Sequence, residues 1–248
     1  MLSRAMVGIS RGTAVARCQM LYSIPPAMPL VDKLEELDML PWWRAAPLRV
    51  LGTFSPSQWQ RAAGTDMYHV CATQAREPIL YSAGEGALVP DTFYGKFILT
   101  GLHCWLCHVR LRAEPREEWE HLFKEMMETL WEENLVAMCK GEGLDLIMAS
   151  KYQKEMQLGW HGMVIALDKA LESEEPLEGL REALLRNIYA SADGEVPEQA
   201  SAASLWLAEY CAAQRVHLDS LPAAEVLKGR MRWQPRAGAP PEPPAPDA

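Results

Sequence analysis

Chemistry-bearing residue types crowd into one stretch of this chain, His103-Cys104-Trp105-Leu106-Cys107-His108. Two thiols and two imidazoles in six positions are the vocabulary of a metal site or of thiol redox exchange. A redox Cys-x-x-Cys needs its first cysteine at a helix N-terminus behind a strand, where the helix dipole lowers the thiol pKa. A tetrahedral zinc site needs four convergent ligands, normally two such pairs. The other cysteines, at 18, 71, 139 and 211, are scattered singly and make no second pair. The sequence from Asp91 to Arg112 reads as one helix, which sets both cysteines more than two turns inside it with no strand ahead. The expectation is therefore reduced thiols in a core. A thiol or zinc protein centred on Cys104 and Cys107 is the alternative from a different class.

Helical projection sorts the same stretch further. At about 100° per residue, Ile98, Leu102, Trp105, Leu106 and Val109 share one face, and Phe93, Phe97, Cys104 and Leu111 cover the opposite side. A helix apolar nearly all round belongs at the centre of a bundle. Its polar exceptions, Lys96, His103 and Arg110, recur every seven residues as one stripe. Either they pair with acids of a neighbouring helix or reach solvent, or they form a docking stripe. On the second reading these three are the candidate partner-binding residues. His69, His121, His161 and His217 stand singly, and Glu118-Trp119-Glu120-His121 has no mate on a second helix to complete a carboxylate metal bundle. There is no glycine-rich phosphate loop, nucleophile elbow or H-E-x-x-H motif. The residues therefore predict no catalytic, cofactor-binding or metal-binding site, and a binding or scaffolding module in place of an enzyme.

The elements that must position these residues follow from composition and punctuation. Of 248 residues 49% are apolar, with nine Trp and thirteen Met, enough for one sizeable core. Net charge is −9, and residues 1–31 hold Arg4, Arg11 and Arg17 without an acid, so the remainder carries −12. That balance argues against a DNA-binding protein. An Arg-bearing, acid-free, hydroxyl-containing opening reads as a mitochondrial presequence over 1–31. No run approaches the roughly 18–20 apolar residues of a membrane span, so a soluble or peripheral protein is expected.

Residues 32–54 read as a linker with one short helix, Asp32–Leu40, and an irregular passage from Pro47 to Pro56. Helices are expected over 57–75, from an Asp91 cap to Arg112, over 117–139 with Pro115 at a first helical position, and over 145–171, interrupted or closely packed near Gly159 and Gly162. Two more follow at 176–189 and 197–221. Alternating β-branched runs are missing, so the fold class is all-α, a single multi-helix bundle-like domain over 55–236. Residues 237–248 form a Pro-rich tail that cannot pack.

Pro90-Asp91-Thr92-Phe93, followed by Phe97, Leu99, Thr100, Leu102-His103, Trp105 and Val109-Arg110, resembles the signature of the ubiquinol–cytochrome c reductase (complex III) assembly chaperone family. Collinear likenesses continue through Leu130-Trp131-Glu132, Leu158-Gly159-Trp160, Leu180, Ala183-Leu184, Arg186-Asn187, Tyr210, Leu218-Asp219 and Trp233-Gln234-Pro235. The sequence departs from the pattern at Trp160-His161, where an aromatic followed by an acid is expected, and in a longer 190–199 loop. The resemblance implies an all-α, non-enzymatic assembly factor without cofactor. It implies binding of newly made cytochrome b at the matrix side of the inner mitochondrial membrane, with peripheral membrane association. A small second assembly factor and the mitochondrial ribosome near its tunnel exit are the further implied partners. A structural subunit of a mitochondrial complex or ribosome is the competing class.

Overall fold

The computed structural model describes residues 28–82, 87–190 and 195–234. Most of the expected presequence and all of the Pro-rich tail lie outside the described residues. Among the described residues there are nine α-helices and no strand.

Two short helices open the fold, α1 (Leu30–Asp38) and α2 (Trp42–Val50). The second replaces part of the irregular passage expected around Pro47. Proline there removes one N–H and its hydrogen bond, yet α2 continues through Pro47 to Val50, with Ala45 buried beneath it. Helix α3 (Pro56–Gln74) has Pro at its first turn, and a 3₁₀ turn, Pro78–Leu80, follows it. Helix α4 (Phe93–Leu111) is capped by Thr92, whose hydroxyl accepts from the Gly95 N–H at 3.0 Å. Asp91, the expected cap, instead pairs with Lys96 at 2.8 Å. Helix α5 (Arg116–Lys140) starts one residue after Pro115, which is the cap and not a first helical residue.

Asp145 caps α6 (Leu146–Leu171) by accepting from two first-turn N–H groups. This helix runs unbroken through Gly159 and Gly162, where an interruption or close packing was expected; an added Cβ would meet only the Tyr94 hydroxyl at 3.7 Å at the first and nothing within 4 Å at the second. Helix α7 (Pro176–Leu184) passes into a π-type turn, Leu185–Tyr189. Helix α8 (Ala200–Asp219) begins three residues later than Pro197 suggested, and α9 (Ala223–Val226) is a single turn.

Helix α4 is the axis, packed by α3, α5, α6 and α8. Small residues let the layers close. A Cβ on Gly64 of α3 would lie 2.4 Å from the Leu122 carbonyl of α5, and one on Gly101 of α4 would lie 2.7 Å from the Trp160 ring of α6. Between them runs an aromatic chain, with Phe97 5.6 Å from Trp131 and Trp131 5.9 Å from Trp160 by ring centroids. Each such side chain contributes roughly 1.5–3 kcal/mol on burial.

Helix α1 has a different anchor. Its first N–H groups are received by a carboxylate from α3, Asp66, which accepts from Leu30 and Val31 at 2.8 Å each. Burial raises the Asp66 carboxyl above its ordinary range, while those two donors favour the charged form. Asp66→Ala leaves both N–H groups without an acceptor, at a cost of about 1–3 kcal/mol. Native-state proteolysis should then cut residues 28–55 faster while 56–234 stays resistant; cleavage spread evenly along the chain would contradict a local role.

Candidate functional site

The residues singled out in α4 face inward. His103 is fully buried midway along the helix. Its Nδ1 lies 2.7 Å from the Leu99 carbonyl oxygen, an acceptor only, so Nδ1 carries the proton and donates. Its Nε2 therefore accepts from the Tyr210 hydroxyl of α8 at 2.8 Å, and that hydroxyl accepts from Gln74 Nε2 of α3 at 3.1 Å. The Trp233 ring stands edge-on to the imidazole at 4.7 Å. One directed chain thus joins three helices and the C-terminal segment. Burial pushes the His103 pKa down to about 4 against the partial support of the Leu99 carbonyl. Next along the helix, His108 stacks on Phe123 at 4.0 Å. It is likewise pushed down to about 4, by burial first and the nearby Arg112 charge second.

Arg110 terminates α8. Its Nε donates to the Leu218 carbonyl at 3.0 Å, Nη2 to the Leu221 carbonyl at 3.1 Å, and Nη1 to Glu114 at 2.7 Å. A guanidinium fork on the last carbonyls of a helix satisfies orphan acceptors and opposes the helix dipole. Lys96 pairs with Asp91 at the other end of α4. The three members of the stripe are thus engaged within the fold.

Cys104 and Cys107 point into the same core, where the Cys71 and Cys107 sulfurs approach to 3.4 Å. All three are buried and free of disulfides. Burial pushes the Cys71 and Cys107 thiols up, and for Cys104 the neighbouring Cys71 thiol adds the larger effect. These are the opposite conditions from those that make a thiolate nucleophile. Among the described residues, no group of three or more His, Cys, Asp or Glu is disposed to hold a metal ion.

A cleft of about 440 Å³ lies where residues 228–233 cross α1 and α3. Most of its charges pair with carboxylates or backbone at its rim. Arg230 bonds Asp32 and Glu35 at 2.6 Å each, Lys228 bonds Glu35 at 2.9 Å, and Asp66 caps α1. The segment beyond is pinned by the Gln214 amide, which brackets Gln234 at 3.1 and 2.9 Å, and by Trp233 Nε1 donating to the Val70 carbonyl at 3.3 Å.

The residues that resemble the assembly-chaperone signature therefore meet one another. Phe97 meets Trp131, Trp131 meets Trp160, His103 meets Tyr210 and Trp233, and Arg110 meets Leu218. Such residues specify a scaffold and leave contact with partners to the surface. Comparison with known proteins bears out the resemblance itself. The model of the ubiquinol-cytochrome c chaperone family matches residues 86–233.

The chain belongs to that family.

It is a family of assembly chaperones and not of enzymes. Similar proteins include the ubiquinol-cytochrome c reductase complex assembly factor 1 of Mus musculus, 26% identical over 186 residues, 74% of this chain and 59% of that protein. The Xenopus laevis protein of the same name is 24% identical over 186 residues, 74% of this chain and 87% of that one. This chain thus spans about three fifths of the mouse relative's length. The crystal structure of the Cbp3 homolog from Brucella abortus shares the fold at a TM-score of 0.60. It is 22% identical, with 76% of this chain and 96% of that chain covered.

Exposed Met or Trp side chains were expected as contacts, but sequence reasoning could not place the exposed apolar surface. Met39, Trp42, Trp43, Val50 and Leu51 around α2, and Ile147, Leu158 and Ile165 on α6, are open to solvent. By residue type alone they are indistinguishable from core.

Two outcomes follow from the buried groups. A histidine with lowered folded pKa keeps its full stability above the ordinary value of 6.5, and stability falls as pH drops from there toward 4. At pH 5.5 the loss from His103 is about 1 kcal/mol. Denaturant titrations from pH 7.5 to 5 should read it, and His103→Gln should be weaker at pH 7.5 but flatter across that range. Cys104→Ala with Cys107→Ala should cost only packing, ~1–2 kcal/mol, with assembly activity retained in cells. Loss of activity at unchanged stability would restore the thiol reading.

Proposed function

We propose that this chain is a non-enzymatic assembly factor that binds newly made cytochrome b and promotes assembly of respiratory complex III. It acts on the matrix side of the inner mitochondrial membrane, is delivered there by the presequence in residues 1–31, and associates peripherally. A small second assembly factor and the mitochondrial ribosome near its tunnel exit are its further partners. Family membership carries this reading, and the relatives' shared name, complex III assembly factor, supports it.

The outer face of α6 supplies a surface for a polypeptide. Ile147, Lys151, Lys154, Leu158, His161 and Ile165 follow one another at alternating steps of four and three, all exposed. That spacing makes a seam for another helix. Gly162 lies on the same face, where an added Cβ would meet nothing within 4 Å. A mid-helix glycine costs about 1 kcal/mol relative to alanine, and the fold does not ask for it here; a closely approaching partner backbone would. The Lys96–His103–Arg110 stripe contributes at one remove, by fixing α8 and the C-terminal segment on α4. A photo-reactive residue at 158 or 165 should cross-link to newly made cytochrome b. Leu158→Glu with Ile165→Glu should lower complex III content with stability unchanged to within ~0.5 kcal/mol. Normal complex III assembly in cells lacking the protein would refute the reading.

A further inference from the structure

Helix α2 has a face that nothing in the described chain covers. Met39 is 86% exposed, Trp42 78%, Trp43 57%, Val50 88% and Leu51 79%. At about 100° per residue, Trp42, Val50, Trp43 and Leu51 occupy roughly half of the helix circumference. Arg44 and Arg49 fall at the two edges of that arc, one beyond Leu51 and the other beyond Trp42. Ala45, which is buried, and Leu48, which is half-buried, lie between the two arginines on the opposite side. An apolar half flanked by tryptophans and rimmed by arginines is the pattern of a helix lying in the plane of a membrane interface. No helix among the described residues is long and apolar enough to cross a membrane.

Charge selects the occupant. Residues 39–65 hold Arg44, Arg49 and Arg61 and no acid, in a chain of net charge −9. Residues 1–27 carry Arg4, Arg11 and Arg17 and no acid, so they share the sign of this face and offer it no counter-charge. We infer that α2 is a membrane-surface foot, seating Trp42 and Trp43 at the headgroup level of an anionic bilayer with Arg44 and Arg49 on its phosphates. Asp38 holds Arg49 at 2.9 Å in the structure and competes with those phosphates. The inference rests on the peripheral association proposed above and names the element that performs it.

The test is flotation of the full chain with phosphatidylcholine vesicles, with and without about 30% phosphatidylglycerol. Binding is expected with the anionic vesicles, weakening as salt is raised. Trp42→Ser with Trp43→Ser should reduce it about tenfold or more, Arg44→Glu should reduce it, and Asp38→Asn should strengthen it. Equal binding by wild type and the double tryptophan variant, indifference to lipid charge, or no flotation would each overturn the inference. Cross-linking of the double tryptophan variant to cytochrome b through position 158 keeps the two readings apart. A variant that cross-links but does not float supports the foot. A wild type that floats but never cross-links defeats the chaperone reading alone.

Discussion

The structure depends on a helix that has almost no side facing water. Because α4 is enclosed by α3, α5, α6 and α8, every polar group along it must find a partner inside the protein. An imidazole left unpaired there would cost several times what a surface histidine costs, and an unpaired guanidinium more. His103 and Arg110 escape that cost by drawing in segments from the far end of the chain. Tyr210 and Trp233 come to the first, and the closing carbonyls of α8 to the second. The position of α8 and the path of residues 228–234 follow from these demands. Arg230 and Lys228 then reach α1, so the two ends of the described chain are joined through surface ion pairs. Those pairs are individually weak at exposed sites and add register more than stability.

The long helices were legible because two independent signals coincide in them. Apolar periodicity marks α3 through α8, and Pro115, Gly141, Asp145 and Pro176 punctuate their ends. Helix α2 was not, because Pro47 reads as a breaker, and the burial of Ala45 that seats the helix on the fold leaves no signal in the sequence. The seven-residue spacing of Lys96, His103 and Arg110 was visible as a pattern. What the stripe faces was not, since the groups that meet His103 and Arg110 lie more than a hundred residues away in sequence. The cap expected at Asp91 fell one residue early for a related reason: Thr92 can also accept a first-turn N–H, and Lys96 draws the Asp91 carboxylate into an ion pair.

The division between scaffold and surface explains why the strongest sequence signal is not itself the working part. Residues that resemble the family signature are those whose mutual contacts leave little freedom of choice. The surfaces suited to partners, on α2 and α6, are written in Trp, Val, Leu and Ile, the same letters as the core, and only burial distinguishes them. In a protein proposed to shelter apolar segments, which would work by presenting area and shape, buried thiols and neutral imidazoles add rigidity.

The directed chain from Gln74 through Tyr210 to His103 has a temporal consequence. A polypeptide that emerges N-terminus first, from a ribosome or through a translocation pore, exposes α4 long before residues 210–234 exist to serve it. Until then His103 and Arg110 have only their local partners, the Leu99 carbonyl and Glu114, and α4 can be only loosely enclosed. Contacts this distant in sequence form late. Closure of the core therefore waits for nearly the whole described chain. A protein proposed to attend the synthesis of another cannot finish its own folding while it is still being made.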